Sequence, residues 1–264
     1  MKTETPGTKM NRKIRLLVVD FDGTALGGYE PYARFPDNFS AFLDRISSHG
    51  TLWATCTSWH PYIQDKVFRE SKLKSRPVRL LGGTGLYCGV YSENRLYLDA
   101  EWDVEMISLK SDFGNNYAAK IKDFLKGSRQ LEGFIEYEEH IFGIKSKGGK
   151  SLKKILGSCE LFKNTYILYS SDGTGGQIFP YYMSKGAAVN KIQKQLGILP
   201  ENTIAAGDGT NDLSMMQKSV ASYQIAPANA DPQVKRVIRR NRGIVSSLLY
   251  SDGVVDAARK ILGI

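Results

Sequence analysis

The chain has 264 residues, 42% hydrophobic and 24% charged, with a formal net charge of +9; that is the composition of an ordinary globular protein with room for one large domain or two modest ones. No run of about 18 apolar residues occurs, which argues against a helical membrane span. Cys56, Cys88 and Cys159 lie far apart without a C-x-x-C pair, and His49, His60 and His140 show no metal spacing, so neither a disulfide framework nor a zinc site is expected.

In chain order, residues 1–13 are polar and basic and are expected to begin as a frayed tail, since the apolar stretch behind them is too short for a secretory signal. The run 14–19 is a short series of mostly branched apolar residues ending at Asp20, and it predicts a buried parallel strand. Apolar residues at 39, 42, 43 and 46 predict a helix to 48; strand 51–56, helix 61–73 and strand 78–81 follow. This alternation predicts a doubly wound α/β layer.

From 86 the rhythm changes. Strand-like pieces (86–91, 95–98, 133–144, 166–170, 177–179) surround helical stretches at 117–126 and 151–156, with glycine-rich joints between them. An α+β insert with an antiparallel sheet is expected over 87–182, splitting a core made of 1–86 and 183–264. Tyr87, Tyr91, Tyr97 and Trp102 are expected to pack that insert, and the run Glu136, Glu138, Glu139, His140 to form a solvated edge. The first pattern then returns, with helix 185–196, strand 203–206, helix 212–218, strand 220–225 and helices 231–240 and 253–262.

Two acidic clusters fall at predicted strand ends, where open α/β sheets bind their ligands. Asp20-Phe21-Asp22-Gly23-Thr24 follows the first strand, and Gly207-Asp208-Gly209-Thr210-Asn211-Asp212 follows the strand 203–206. Bringing these carboxylates together costs free energy unless a hard cation compensates them, and magnesium suits oxygen ligands and phosphate chemistry. Residues i and i+2 of an extended segment point to one side. Asp20 could therefore attack a phosphorus atom while Asp22 protonates the departing oxygen. Two glycine-rich alternatives fail on spacing: Gly148-Gly149-Lys150-Ser151 has Ile144 where a P-loop needs glycine, and Gly83-Thr84-Gly85 has Cys88 where the dinucleotide fingerprint needs one.

These clusters resemble the first and fourth motifs of the haloacid dehalogenase superfamily. Thr57, after strand 51–56, resembles the second motif, and Ser184-Lys185-Gly186 the third; Pro227-Ala228-Asn229-Ala230 and the C-terminal Asp252-Gly253-Val254-Val255 resemble the Cof-type branch. The resemblance implies a HAD-like core with a C2-type cap over 87–182. It implies Asp20 as nucleophile and magnesium ligand, Asp22 as general acid/base with its carbonyl on the metal, and Lys185 as the neutralising cation. Thr57 and Ser58 would contact the phosphoryl group, with Asp208, Asn211 and Asp212 on the metal side. One departure stands out: the second motif commonly reads Thr-Gly-Arg, and here it reads Thr57-Ser58-Trp59, losing backbone freedom and a bidentate anion contact. Trp59 is expected to pack, with stacking on a substrate ring as the alternative.

The function expected is a magnesium-dependent phosphatase acting on a small phosphorylated metabolite. A hexose phosphomutase and a catalytically weak ligand-binding protein of the same fold remain open. Residues 87–182 balance 12 Lys/Arg against 13 Asp/Glu, so the positive excess lies in the flanking segments, chiefly 66–79 and 235–242. Such a surface attracts anions, but no nucleic-acid recognition motif accompanies it. No nucleic-acid or membrane partner is expected; a monomer or weak homodimer in the reducing cytoplasm is.

Overall fold

The computed structural model describes residues 13–27, 34–137, 140–157 and 159–264; the first twelve residues of the expected tail, and Glu138 and Glu139 of the acidic run, lie outside the described residues. The chain runs β1 (Leu16–Val19), α1 (Asp37–Ser48), β2 (Leu52–Cys56), α2 (Pro61–Glu70), β3 (Arg79–Gly82), β4 (Tyr87–Ser92) and β5 (Arg95–Leu98). Then come α3 (Ala100–Phe113), a π-helical turn (Gly114–Ala118), α4 (Ala119–Gly127), β6 (Leu131–Tyr137), β7 (Ile141–Ser146), α5 (Leu152–Leu156), β8 (Thr165–Tyr169) and β9 (Gly175–Pro180). The last part is α6 (Lys185–Leu196), β10 (Thr203–Ala206), β11 (Tyr223–Ala226), α7 (Pro232–Arg240), β12 (Ile244–Val245) and α8 (Tyr250–Leu262).

The α/β expectation holds. An eight-stranded sheet has the order β12-β11-β10-β1-β2-β3-β4-β5, parallel from β12 through β3. Alternate residues of its strands feed two cores. Leu17, Val19, Trp53 and Ile204 pack with α1, α2 and α8 on one face, and Leu16, Val18, Ala54 and Ala205 pack with α3, α6 and α7 on the other. The helices start where local chemistry dictates: His60 caps α2 ahead of Pro61 at its first position, Ser184 accepts the Ala187 N–H at the start of α6, and Gly197 closes α6 in the left-handed conformation. A separate four-stranded antiparallel sheet, β6-β7-β9-β8, buries Phe142, Ile144 and Ile178 against Phe113, Ile121, Leu125 and Leu152 in its own core.

Several local expectations are corrected. The stretch 87–98, expected in the insert, forms the antiparallel hairpin β4–β5 on the edge of the large sheet, with Gly82 paired to Tyr87. Tyr91 and Trp102 accordingly pack on the large sheet's cores instead of the insert, while Tyr97 is exposed. Helix α3 has no counterpart in the sequence expectation, because Trp102, Val104 and Met106 alternate like a strand. Val104 and Ile107 are left exposed at 68% and 69%. The span 133–144 divides into β6 and β7. In place of a helix over 212–218 there is a 3-10 turn over Thr210–Ser214.

Candidate active site

Sheet order and register build the site. After β1 the chain moves outward through β2 and β3, then returns to the other side of β1 through β10 and β11, so the order reverses between β1 and β10. Such a reversal opens a crevice at the carboxyl ends of the strands. Val19 pairs with Ala206 on one side and with Thr55 on the other. The next residue, Asp20, donates its N–H to the Ala206 carbonyl (3.0 Å) and so sits beside Gly207 and Asp208. Carboxylate oxygens of Asp20, Asp208 and Asp212 lie within 4.8 Å of one another.

Lys185, at the first position of α6, reaches into this cluster. Its Nζ donates to Asp20 Oδ1 at 2.6 Å and to Asp212 Oδ1 at 2.5 Å, and all three side chains are buried. The other oxygen of Asp212 accepts the backbone N–H groups of Asp208 and Gly209, both at 2.9 Å. Those bonds turn the chain back on itself and explain the tight 3-10 turn here. Asp208 is held from the first loop, where the Thr24 hydroxyl donates to its Oδ1 at 2.7 Å. The Asn229 carboxamide donates to the Gly23 carbonyl at 2.7 Å and fixes that loop from the other side.

The electrostatics follow from crowding. Burial pushes the Asp20 carboxyl up to about 8, with the charge of Asp212 acting the same way against the pull of Lys185. Burial also pushes Asp208 up to about 6, with Thr24 holding it back. At Lys185 burial acts downward, but Asp20 and Asp212 outweigh it, and the ammonium is more basic than usual. Three carboxyl groups face one ammonium, so full ionisation would leave two negative charges in excess. An all-oxygen donor set with that excess fits a hard divalent cation.

The remaining expected site residues are placed as follows. Thr57 is buried at the end of β2, its N–H on the Leu81 carbonyl and its own carbonyl accepting from Thr84. Ser58 is exposed. Asn211 lies on the 3-10 turn with its side chain folded over Gly209, where a Cβ would stand 2.4 Å from its Oδ1. The Asp22 side chain is exposed, and its Oδ2 accepts the Trp59 indole N–H at 2.6 Å. Glu136 pairs with Lys122 (2.7 Å), and His60 caps α2.

A family model described as haloacid dehalogenase-like hydrolase matches residues 78–257. The chain belongs to that family. Asp20, Asp22 and Thr57 lie ahead of the matched stretch, but longer similarities reach them. The chain is 22% identical over 248 residues to the 5-amino-6-(5-phospho-D-ribitylamino)uracil phosphatase YcsE of Bacillus subtilis, covering 93% of this chain and 95% of that one. It is 26% identical over 262 residues to the mannosylfructose-phosphate phosphatase of Agrobacterium fabrum, covering 94% and 97%. Similarity to the phosphoglycolate phosphatase of Methanothermobacter thermautotrophicus is 32% but spans only 81 residues, 31% of this chain and 34% of that protein. In fold, the chain resembles the sucrose-phosphatase of Synechocystis, with a TM-score of 0.60, 17% identity and coverage of 95% and 98%.

Within this haloacid dehalogenase-like hydrolase, three supporting residues were not singled out by the sequence. Thr24 and Asn229 sat inside quoted motifs without a role. Tyr166, on β8 of the smaller sheet, donates its hydroxyl to the Thr210 carbonyl at 2.8 Å. It thereby ties that sheet to the turn carrying Asp212. No spacing rule links Tyr166 to position 210; only the tertiary fold does.

Proposed function

We propose that this protein is a magnesium-dependent phosphatase that hydrolyses a small phosphate monoester through an aspartyl-phosphate on Asp20. The observation that carries it is the buried Asp20 carboxylate at the carboxyl end of β1, gripped by Lys185 and faced by Asp208 and Asp212. Asp20, Asp208 and Asp212 would hold the cation, with Asn211 beside them; when bound, it supplies charge neutralisation of the phosphoryl oxygens. The full-length similarity to two phosphatases of phosphorylated sugar-like compounds supports an ester of that size.

In this reaction Lys185 holds Asp20 Oδ1 and orients the nucleophile, and together with the bound cation it would favour the ionised carboxylate. Asp20 attacks phosphorus, and the ester oxygen leaves with a proton from Asp22. The same Asp22 then removes a proton from the water that cleaves the aspartyl-phosphate, a contribution worth about 10²–10⁴-fold. Thr57, buried at the end of β2, would donate its hydroxyl to a phosphoryl oxygen. The smaller sheet, tied to the site through Tyr166, would form the cap that excludes water and selects the leaving group. The test is hydrolysis of 4-nitrophenyl phosphate with and without magnesium. Magnesium-dependent turnover is expected, abolished by Asp20→Asn; full activity in that variant would refute the nucleophile.

A further inference from the structure

Trp59 stands where the family commonly carries arginine, and the structure gives its indole a specific partner. The ring packs edge-on against Phe21, with centroids 5.7 Å apart at 69°, and its Nε1–H donates to Asp22 Oδ2 at 2.6 Å. The Trp59 backbone is anchored in turn. Its carbonyl accepts from Gln64 Nε2 at 2.8 Å, and Gln64, fully buried, takes the Thr55 hydroxyl on its Oε1 at 2.5 Å and donates to the Leu81 carbonyl at 3.2 Å. An unbroken chain of contacts thus runs from the interior of β2 and α2 to one exposed carboxylate. An exposed aspartate otherwise samples several rotamers, and ordering it costs entropy. A short N–H···carboxylate bond from a rigid donor fixes that orientation in advance.

We propose that Trp59 is a positioning residue that holds the Asp22 carboxylate in the orientation from which it delivers a proton to the leaving oxygen. The proposal rests on the phosphatase reading above and deepens it. Ring packing alone would need no indole N–H at all. A role through Asp22 must instead depend on that N–H, and most where the leaving group most needs a proton. Correct placement of a proton donor is part of what general acid catalysis supplies, and misplacement of about 1 Å costs on the order of 10²-fold.

The experiment compares kcat/KM for phenyl phosphate, a poor leaving group, with that for 4-nitrophenyl phosphate, a good one. It uses the wild type, Trp59→Phe, Asp22→Asn and the double variant. Trp59→Phe keeps an aromatic ring against Phe21 and removes the donor. It should lose about 30-fold on phenyl phosphate and about threefold on 4-nitrophenyl phosphate. In the Asp22→Asn background the same change should add no further discrimination between the two esters. Equal losses on both esters, an undiminished effect without Asp22, or a Trp59→Phe protein with no cooperative melt would overturn the proposal and leave Trp59 a packing residue. Failure of the phosphatase reading looks different: the wild type would hydrolyse neither ester, or Asp22→Asn would hydrolyse both normally.

Discussion

Gly23 is where the two acidic loops press together, and Gly23→Ala tests that convergence. Its φ is +74°, and a Cβ built there would lie 2.2 Å from Asp208 Oδ2 and 2.6 Å from Asp208 Cγ. Ordinary contact begins at 3.4 Å, so the Asp208 carboxylate must retreat by about 1.2 Å or the first loop must open. Two costs result. Alanine in the left-handed region costs about 1 kcal/mol. Displacing Asp208 breaks the Thr24 hydroxyl bond to its Oδ1, a bond to a charged group worth about 1.5–3 kcal/mol.

The expected loss is therefore about 3 kcal/mol in urea unfolding with chelator present, and turnover should drop by about 10²-fold from the displaced carboxylate. Gly50 supplies the control. It is also left-handed, at φ +88°, but a Cβ there meets nothing within 4 Å. Gly50→Ala should show only the backbone cost of about 1 kcal/mol, with normal turnover. A Gly23→Ala protein no less stable than Gly50→Ala, and fully active with magnesium, would refute the packing of the two loops around a shared cation.

Asp208→Asn should stabilise the metal-free protein while abolishing turnover. Asp208 is raised in the fold from 3.8 to about 6, so the wild type loses stability as pH rises through that window; the gain from asparagine in urea melts with chelator should be absent near pH 4 and full above pH 6. For the intact site, Asp20, pushed up to about 8, must shed its proton to bind a cation. Magnesium binding by calorimetry in buffers of different ionisation enthalpy should then release about one proton at pH 7, with affinity falling about tenfold per pH unit below that; a flat affinity from pH 6 to 8 would contradict this. Tyr166→Phe removes the hydroxyl bond to the Thr210 carbonyl. It should cost about 1 kcal/mol of stability and raise the magnesium concentration for half-maximal activity, because the turn it steadies carries Asp212.

The parallel sheet and its acidic rim were legible because both are local facts of the chain. Leu16–Val19 and Thr203–Ala206 are fully buried runs that could be only interior strands, and the aspartates follow them directly. Illegible features depend on what packs where. The helix α3 shows alternation because only Trp102 and Phe113 are buried along its length. The usable signal was at its start, where Asp99 accepts the Trp102 N–H and Glu101 and Asp103 fill the first turn. The hairpin β4–β5 looked like the beginning of the insert because an antiparallel edge added to a parallel sheet reads the same as a new antiparallel sheet. For Trp59, packing was the expected role, and the ring does pack. The bond to Asp22 joins residues 37 positions apart and has no signature in either segment.

Charge is distributed on two scales that oppose each other, and the proposed cation reconciles them. The chain is +9 overall, a field that attracts a phosphate dianion within a Debye length of the surface, a reach that grows as salt is lowered. Within the crevice the balance reverses, since three aspartates outnumber one lysine. A dianion drawn to the surface would be repelled at the last few ångströms. A divalent cation among Asp20, Asp208 and Asp212 brings the local charge close to zero and removes that barrier. Lys185 cannot do this alone, because its ammonium is already shared between Asp20 and Asp212. At the middle of the sheet, beyond β1 and β10, each carboxylate of the cluster has a fixed donor: Lys185 for Asp20, the Thr24 hydroxyl for Asp208, and Lys185 with two backbone N–H groups for Asp212, so the repulsion is borne by the fold until substrate chemistry makes use of it.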